Sequence, residues 1–403
     1  MSVLCRFLGK ASLPCLRVLL LKGCGFNDGK IEEFAEFLGR GDMPLLETLD
    51  LSMCKWAEKV LGPFGKALSQ GADKLRCLRN LSLMTERGER SAGDVATFLE
   101  ALASPACPPL KNVSLFINTA ANTADLRALA NGRYPVVRTL RLEMLGGSLE
   151  QFLRALVDSP SEPQFESLSL KLGGAYGDDL GSVEWVRLLG EAARRRRLSS
   201  LREIDACFSG PEDHLKEAIE CFFGSLGLVK LPFFSILRIS RAAVSDVHLS
   251  LLGDAVRAGN LSGLEVLDLS QHDHRDGFGR VGLEALTYAI TETEEGLPHL
   301  KELRLQSTKA GKALESLAKA LIAGKLGNLS ALSLDSCSLT GAGLGALGSA
   351  VRAGALVHLT SLSMGQNGLD GGDWEGEFYA GGAIAESEAG LHASLEVDRP
   401  FRE

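Results

Sequence analysis

The sequence predicts an α/β solenoid in which about 12 repeats each contribute one short strand and one helix. Residues 326–354 show both halves of a repeat: leucines first alternate, and then Leu344, Leu347 and Val351 recur three and four apart, the periods of a strand and of one helix face. The same pair of segments recurs at intervals of 27–36 residues, long enough to hold a helix between strands. One strand and one helix cannot bury their apolar faces alone, so the repeats must stack.

The strand half of each repeat follows the pattern L-x-x-L-x-L-x-x-C-x-L, an alternating strand that ends in a tight turn. The helical halves that follow are variable, and most end at glycine or Ser-Pro, which stop a helix. The copies of the strand pattern begin at Leu16, Leu46, Leu78, Leu110, Val137, Phe165, Leu201, Phe234, Leu264, Leu300, Leu329 and Leu359.

Four copies are well preserved: LRVLLLKGCGF, LETLDLSMCKW, LSALSLDSCSL and LTSLSMGQNGL. Over residues 13–369 the chain resembles the leucine-rich-repeat proteins of the ribonuclease-inhibitor type. This resemblance implies a horseshoe whose parallel strands line the concave face and whose helices cover the convex face.

Three regions are expected along the chain. Residues 1–15 form an N-terminal capping helix or partial repeat, residues 16–369 form the leucine-rich-repeat solenoid, and residues 370–403 form an acidic, glycine-rich cap or tail. The apolar start of the chain is interpreted as this cap, not as a signal peptide, because Arg17 interrupts it in register with the first strand. Two interpretations of residues 370–403 stay open: a polar cap on the last repeat, and a docking tail for a basic partner.

Composition limits the compartment and the partners. The net charge is −8, and nine acids against two bases lie in residues 370–403, so the repeats are almost neutral and give no basic surface for nucleic acid. No run reaches the ~18 apolar residues of a membrane helix. Cys24, Cys54 and Cys337 share one turn position, where we expect buried, reduced thiols. The sequence therefore predicts a cytoplasmic protein, with a nuclear location as the variant.

Catalytic motifs are absent from the sequence, and we expect neither enzyme activity nor a cofactor. A metal site is considered only at His272, Asp273, His274 and Asp276, where a structural turn is the preferred interpretation. The basic run of residues 194–197 is interpreted as a solvated helix end, with nuclear targeting or polyanion contact as the alternative.

The strand face opposite the core is the candidate site, because strand side chains alternate between faces. Asp205, Arg238, Asp268 and Arg304 alternate in sign at the middle outward position of successive strands. Two interpretations are open: a lateral ladder of ion pairs, and a contact surface for a protein ligand with flanking apolar anchors. The candidate protein-binding residues on the concave face are Arg141, Glu203, Asp205, Arg238, Asp268, Glu302, Arg304 and Phe116.

The function expected from these observations is a monomeric, non-enzymatic scaffold that binds another protein across the concave face. Part of this expectation is analogy with the fold. Two alternatives remain. The first is a GTPase-activating regulator of a Ran-like small GTPase, since the Ran GTPase activators are similar in repeat class and also carry an acidic end. The second is the sensing fragment of an immune-type receptor.

Overall fold

The computed structural model describes residues 13–368 apart from several segments. These are residues 25–27, 55–60, 72, 85–94, 105–106, 118–122, 131–136, 145, 161–164, 173–183, 208–211, 241–243 and 272–276. The proposed tail and nearly all of the proposed N-terminal cap thus lie outside the described residues. The chain divides into two compact units, residues 1–202 and 203–403.

In its described residues the first unit alternates six strands with six helices, and each of these strands pairs in parallel with the next one in sequence. The strands are β1 Val18–Leu20, β2 Thr48–Asp50, β3 Asn80–Leu83, β4 Asn112–Ile117, β5 Thr139–Met144 and β6 Ser167–Leu172. The helices are α1 Asp28–Arg40, α2 Leu61–Gln70, α3 Val95–Ala103, α4 Thr123–Ala130, α5 Gly146–Asp158 and α6 Glu184–Arg194.

The second unit follows the same plan with parallel strands in sequence order, the first of which begins two residues before the unit. The strands are β7 Leu201–Cys207, β8 Ile236–Ser240, β9 Val266–Asp268, β10 Glu302–Arg304, β11 Ala331–Ser333 and β12 Ser361–Ser363. The helices are α7 Glu212–Leu228, α8 Asp246–Arg257, α9 Arg280–Glu292, α10 Leu314–Ile322, preceded by a 3-10 turn at Ala310–Ala313, and α11 Gly341–Arg352.

The core lies on one face of the strands, between the strands and the helices. The repeat leucines are buried in register: Leu49 lies beside Leu81, and Leu267 lies beside Leu303. Successive helices pack on one another within each unit and bury their apolar faces against this row. The strand-and-helix repeat thus confirms the predicted fold class, an α/β leucine-rich-repeat solenoid of about 12 repeats.

In the turns after β2, β11 and β12, a small polar side chain bonds a carbonyl of the preceding repeat. The thiol of Cys54 donates to the Leu21 carbonyl at 3.2 Å, and that of Cys337 donates to the Leu305 carbonyl at 2.9 Å. Asn367 fills the same position with its amide, 2.9 Å from the Leu334 carbonyl. Burial raises the pKa of both thiols, against weaker opposing hydrogen bonds. The prediction of buried thiols is confirmed for Cys54 and Cys337, whereas Cys24 is half-buried.

Helix ends agree with the sequence signals. Gly259 and Gly354 follow α8 and α11 with φ of +71° and +72°, the left-handed region that ends a helix. At the other end of α11, the Thr340 hydroxyl accepts the Gly343 backbone N–H at 3.1 Å. Within the described ranges, no helix combines the length and the apolar character that crossing a bilayer requires.

Candidate functional site

The outward side chains of the strands form registered rows, which we call the open face of each unit. The backbone register confirms the predicted middle row, because each of its members lies directly beside the next within its unit. In the first unit the row is Leu20, Asp50, Ser82, Ser114, Arg141 and Ser169. In the second unit the row is Asp205, Arg238, Asp268, Arg304, Ser333 and Ser363.

Arg238 is fixed by a carboxylate on the neighbouring strand. Its guanidinium donates to Glu203, which stands one outward position earlier on β7. The Glu203 side chain is only 10% exposed, whereas that of Arg238 is 30% exposed. A carboxylate this buried needs a charged partner, and Arg238 is that partner. Glu203 thus orients Arg238 and exposes little of its own surface.

Arg304 is the most exposed charge of the middle row in the second unit, with 46% of its side chain accessible. Nη1 lies 3.6 Å from Oδ2 of Asp268 on the adjacent strand, and Nε donates to Glu302 on its own strand. The other oxygen of Asp268 accepts the Ser270 backbone N–H at 3.0 Å. The guanidinium is therefore oriented from two sides while much of its surface remains accessible.

Two of the predicted site residues, Arg141 and Phe116, belong to the first unit. Arg141 is half-buried in the middle row, and the next outward row places Glu143 3.2 Å from Lys171. Phe116 lies in that outward row beside Glu143 but is only 5% exposed. The expectation of an exposed aromatic anchor at Phe116 is therefore wrong, because neighbouring strands bring side chains close enough to cover a large ring.

A polar centre that the sequence reading missed lies at Asp335, just beyond β11. Its carboxylate accepts hydrogen bonds from the hydroxyls of Ser363 at 2.6 Å and Ser333 at 2.9 Å. It also accepts the Gly365 backbone N–H at 2.7 Å and the Gln306 amide at 3.0 Å. Partial burial by itself raises the pKa of Asp335, but these four donors outweigh it and hold the pKa below its usual range.

We expect Asp335→Asn to weaken the dependence of stability on acid pH. Because the pKa of Asp335 is lowered on folding, its contribution is complete above the ordinary aspartate pKa and is lost as the pH falls through the lower folded value. Urea midpoints measured from about pH 5 to about pH 2 should fall more steeply for the wild type than for the variant. Asp254→Asn, at an exposed site on α8, is the control; equal slopes for wild type and Asp335→Asn would contradict the assignment.

The first unit carries a different polar feature, a lateral ladder of amides on its open face. The Asn80 side-chain N–H donates to the Thr48 hydroxyl at 2.9 Å, and the Asn112 side-chain N–H donates to the Asn80 oxygen at 2.6 Å. These bonds join three consecutive strands, β2 to β4. The ladder ties the strands together on the side opposite the leucines.

The other candidate sites from the sequence have simpler explanations or lie outside the described residues. Arg194 and Arg195 pair with Glu191 at 2.8 and 2.7 Å, and Arg195 donates to the Val157 carbonyl at 3.0 Å. This pairing favours the helix-end interpretation of the basic run. His272, Asp273, His274 and Asp276 lie outside the described residues, and the described part contains no group of three or more His, Cys, Asp or Glu that could hold a metal ion.

Comparisons with known proteins add little to this description. No protein-family model matches the chain, and no curated protein sequence matches it. Among solved structures, the crystal structure of a TLR13–ssRNA13 complex is similar, with a TM-score of 0.31 and 13% sequence identity. The alignment covers 81% of this chain and 53% of that chain, so this chain spans about half the length of the TLR13 chain. The fold assignment rests on the repeats and on the strand register.

Proposed function

We propose that the chain is a non-enzymatic scaffold that binds another protein through the open face of its second unit. The observation that carries this proposal is the orientation of Arg304 and Arg238 by flanking carboxylates. An arginine already fixed by ion pairs loses little conformational entropy when it binds, and its planar group accepts further contacts. Such residues are favoured as energetic centres of protein interfaces.

The surroundings of these arginines support a protein ligand. Ile236 and Val266 lie side by side in the outward row that also contains Glu203 and Glu302, and both are half-buried. The open face thus combines apolar area with oriented charges, which is the composition of a protein-binding surface. Because the charges come from successive repeats, a ligand must span several strands to engage them all.

The type of leucine-rich repeat and the cellular compartment are also part of this proposal. We place the chain in the ribonuclease-inhibitor-like type because its repeats of 27–36 residues each hold a full helix. A reducing, cytoplasmic compartment is supported by Cys54 and Cys337, whose thiols act as hydrogen-bond donors in the turns. We propose a monomer as the binding form.

Charge reversal at Arg304 tests the binding face. A protein ligand is first isolated by capture on the intact chain, and its Kd is then measured against Arg304→Glu. We expect affinity to fall at least about tenfold, since the variant sets a third carboxylate beside Asp268 and Glu302 and repels the group that contacted the arginine. Arg304 is chosen because reversal of Arg238 would leave the buried Glu203 beside a second carboxylate and endanger the fold.

Arg280→Glu is the matched control. Arg280 lies at the start of α9, is 68% exposed and is also ion-paired, to Glu284 at 2.7 Å. It therefore loses the same kind of contact on the helical side of the unit. Unchanged affinity for Arg304→Glu, or equal losses for the two variants, would remove the open face of the second unit as the binding site.

A further inference from the structure

The N-terminus of α8 is capped by a histidine in a position that usually holds glutamate or glutamine. His248 stands three residues after Ser245, and its Nδ1 accepts the Ser245 backbone N–H at 2.8 Å. The Ser245 hydroxyl lies 3.1 Å from the same nitrogen. This is the geometry of a capping box. Because Nδ1 accepts, the neutral ring carries its proton on Nε2.

The ring is fully buried between helices. His248 is 0% exposed and stacks on Phe223 of α7, with ring centroids 6.1 Å apart and an angle of 23° between the planes. The charged groups that act on the ring from α7 are Lys216 and Glu220, and they oppose each other. An added positive charge at this place has little water to solvate it.

Neighbouring elements supply the other titratable groups near this end of α8. Asp246, in the first turn of α8, accepts the backbone N–H groups of Gly279 at 2.7 Å and Gly282 at 2.9 Å, and so links α8 to the start of α9. From α9, Arg280 and Glu284 pair with each other at the surface. Among these groups, His248 is the one that bonds the cap residue Ser245 itself.

Protonation of His248 would reverse its role in the cap. Nδ1 would become a donor facing the Ser245 N–H, so the hydrogen bond would be lost and two donors would oppose each other. At the same time a cation would be placed against Phe223 between two helices. In α11 the position that corresponds to His248 is Gly343, and the cap is the Thr340 hydroxyl, which does not titrate. Acid should therefore loosen the first turn of α8 and leave the first turn of α11 unchanged.

We propose that His248 makes the contact between α7 and α8 an acid-sensitive joint, in which protonation of the buried ring releases the first turn of α8. Burial lowers the pKa of His248, with smaller effects from the Lys216 backbone and Glu220 in the opposite direction. As the pH falls, the His248 ring therefore takes up a proton at a higher pH in the opened state than in the closed state. The closed joint is fully stable above the ordinary histidine pKa of about 6.5 and is progressively lost as the pH falls below it.

Hydrogen exchange of the full-length chain, read by mass spectrometry from about pH 7.5 to about pH 5 and corrected for intrinsic exchange, tests the joint. In the wild type we expect protection of the first turn of α8 to fall by up to about tenfold per pH unit below about pH 6.5. The first turn of α11 should keep its protection. His248→Gln preserves a capping-box side chain without a titrating ring, so α8 in this variant should lose no protection.

His299→Gln, at an exposed loop position, is the control and should behave as the wild type does. The proposal is overturned if α8 keeps its protection in the wild type over this range, or if His248→Gln loses protection as the wild type does. Where the glutamine variant does not fold, NMR of the wild-type histidine rings decides. Titration of the His248 ring together with the loss of α8 protection supports the joint, and titration while α8 stays protected overturns it.

Discussion

Replacing Leu267 by alanine is expected to lower the free energy of unfolding of the second unit by about 2–5 kcal/mol. Leu267 is 1% exposed and lies in register between Leu237 and Leu303 on the adjacent strands. Truncation removes apolar contacts toward both neighbouring repeats and leaves a cavity that the paired strands cannot close. In a solenoid each repeat is stabilised by its interfaces, so damage to an internal repeat weakens two of them.

Urea unfolding followed by far-UV circular dichroism measures this loss as a lower midpoint. Val281→Ala is the matched control, since it also truncates an apolar side chain, but at a position on α9 that is 67% exposed. Its effect should stay within about 0.5 kcal/mol. A Leu267→Ala midpoint that equals the control would show that the leucine row does not carry the core of this unit.

The second large effect is expected at Gly65, where helices α2 and α3 approach closely. A Cβ at this position would lie 2.7 Å from the Thr97 carbonyl oxygen and 2.8 Å from the Phe98 Cα. Both are backbone atoms, so the clash is relieved only if α3 moves. We expect Gly65→Ala to destabilise the first unit by about 1–3 kcal/mol, even though alanine is the better helix former.

Gly348→Ala on α11 isolates the helix-propensity effect from the clash. A Cβ there meets only the distant end of the Arg352 side chain, at 4.0 Å. This variant should gain about 0.5–1 kcal/mol, so identical substitutions are expected to act with opposite signs. Thermal unfolding of both variants provides the comparison, and a stabilised Gly65→Ala would mean that the two helices are not held at this distance.

The register of the strands was predictable because repetition leaves almost no freedom. Once Leu267 and Leu303 must both face the core on parallel strands, Asp268 and Arg304 can only lie side by side on the other face. The turn after the strand adds a second constraint, since the buried thiol of Cys337 and the half-buried amide of Asn367 both bond a carbonyl of the preceding repeat. Period and burial together determine which residues share a row.

The ion-pair partners within the rows were less predictable, because a long side chain can reach several neighbouring residues. Arg304 lies near Asp268, as a lateral ladder requires, but Arg238 pairs with Glu203, one outward position earlier on the neighbouring strand. The sequence places each Cα and leaves the direction of the side chain undetermined. Asp335 escaped notice for a related reason: its three side-chain donors come from three successive repeats, and its fourth donor is a backbone N–H.

Exposure and capping also needed three-dimensional information. Phe116 occupies an outward position and yet is covered, because exposure depends on the bulk of neighbouring side chains as well as on alternation. His248 is a helix cap that sequence rules for Glu and Gln do not flag. Both residues follow the expected backbone, and only their surroundings reveal what they do.

Separation of the leucine row from the outward rows has a consequence for how such a surface can diversify. Arg304 can be exchanged without disturbing Leu303 or Leu305, which are 4% and 0% exposed on the opposite face. Exposed outward positions such as Arg304 are thus free to vary on an unchanged frame, whereas an outward residue that pairs with a buried carboxylate, as Arg238 does with Glu203, is constrained by the fold.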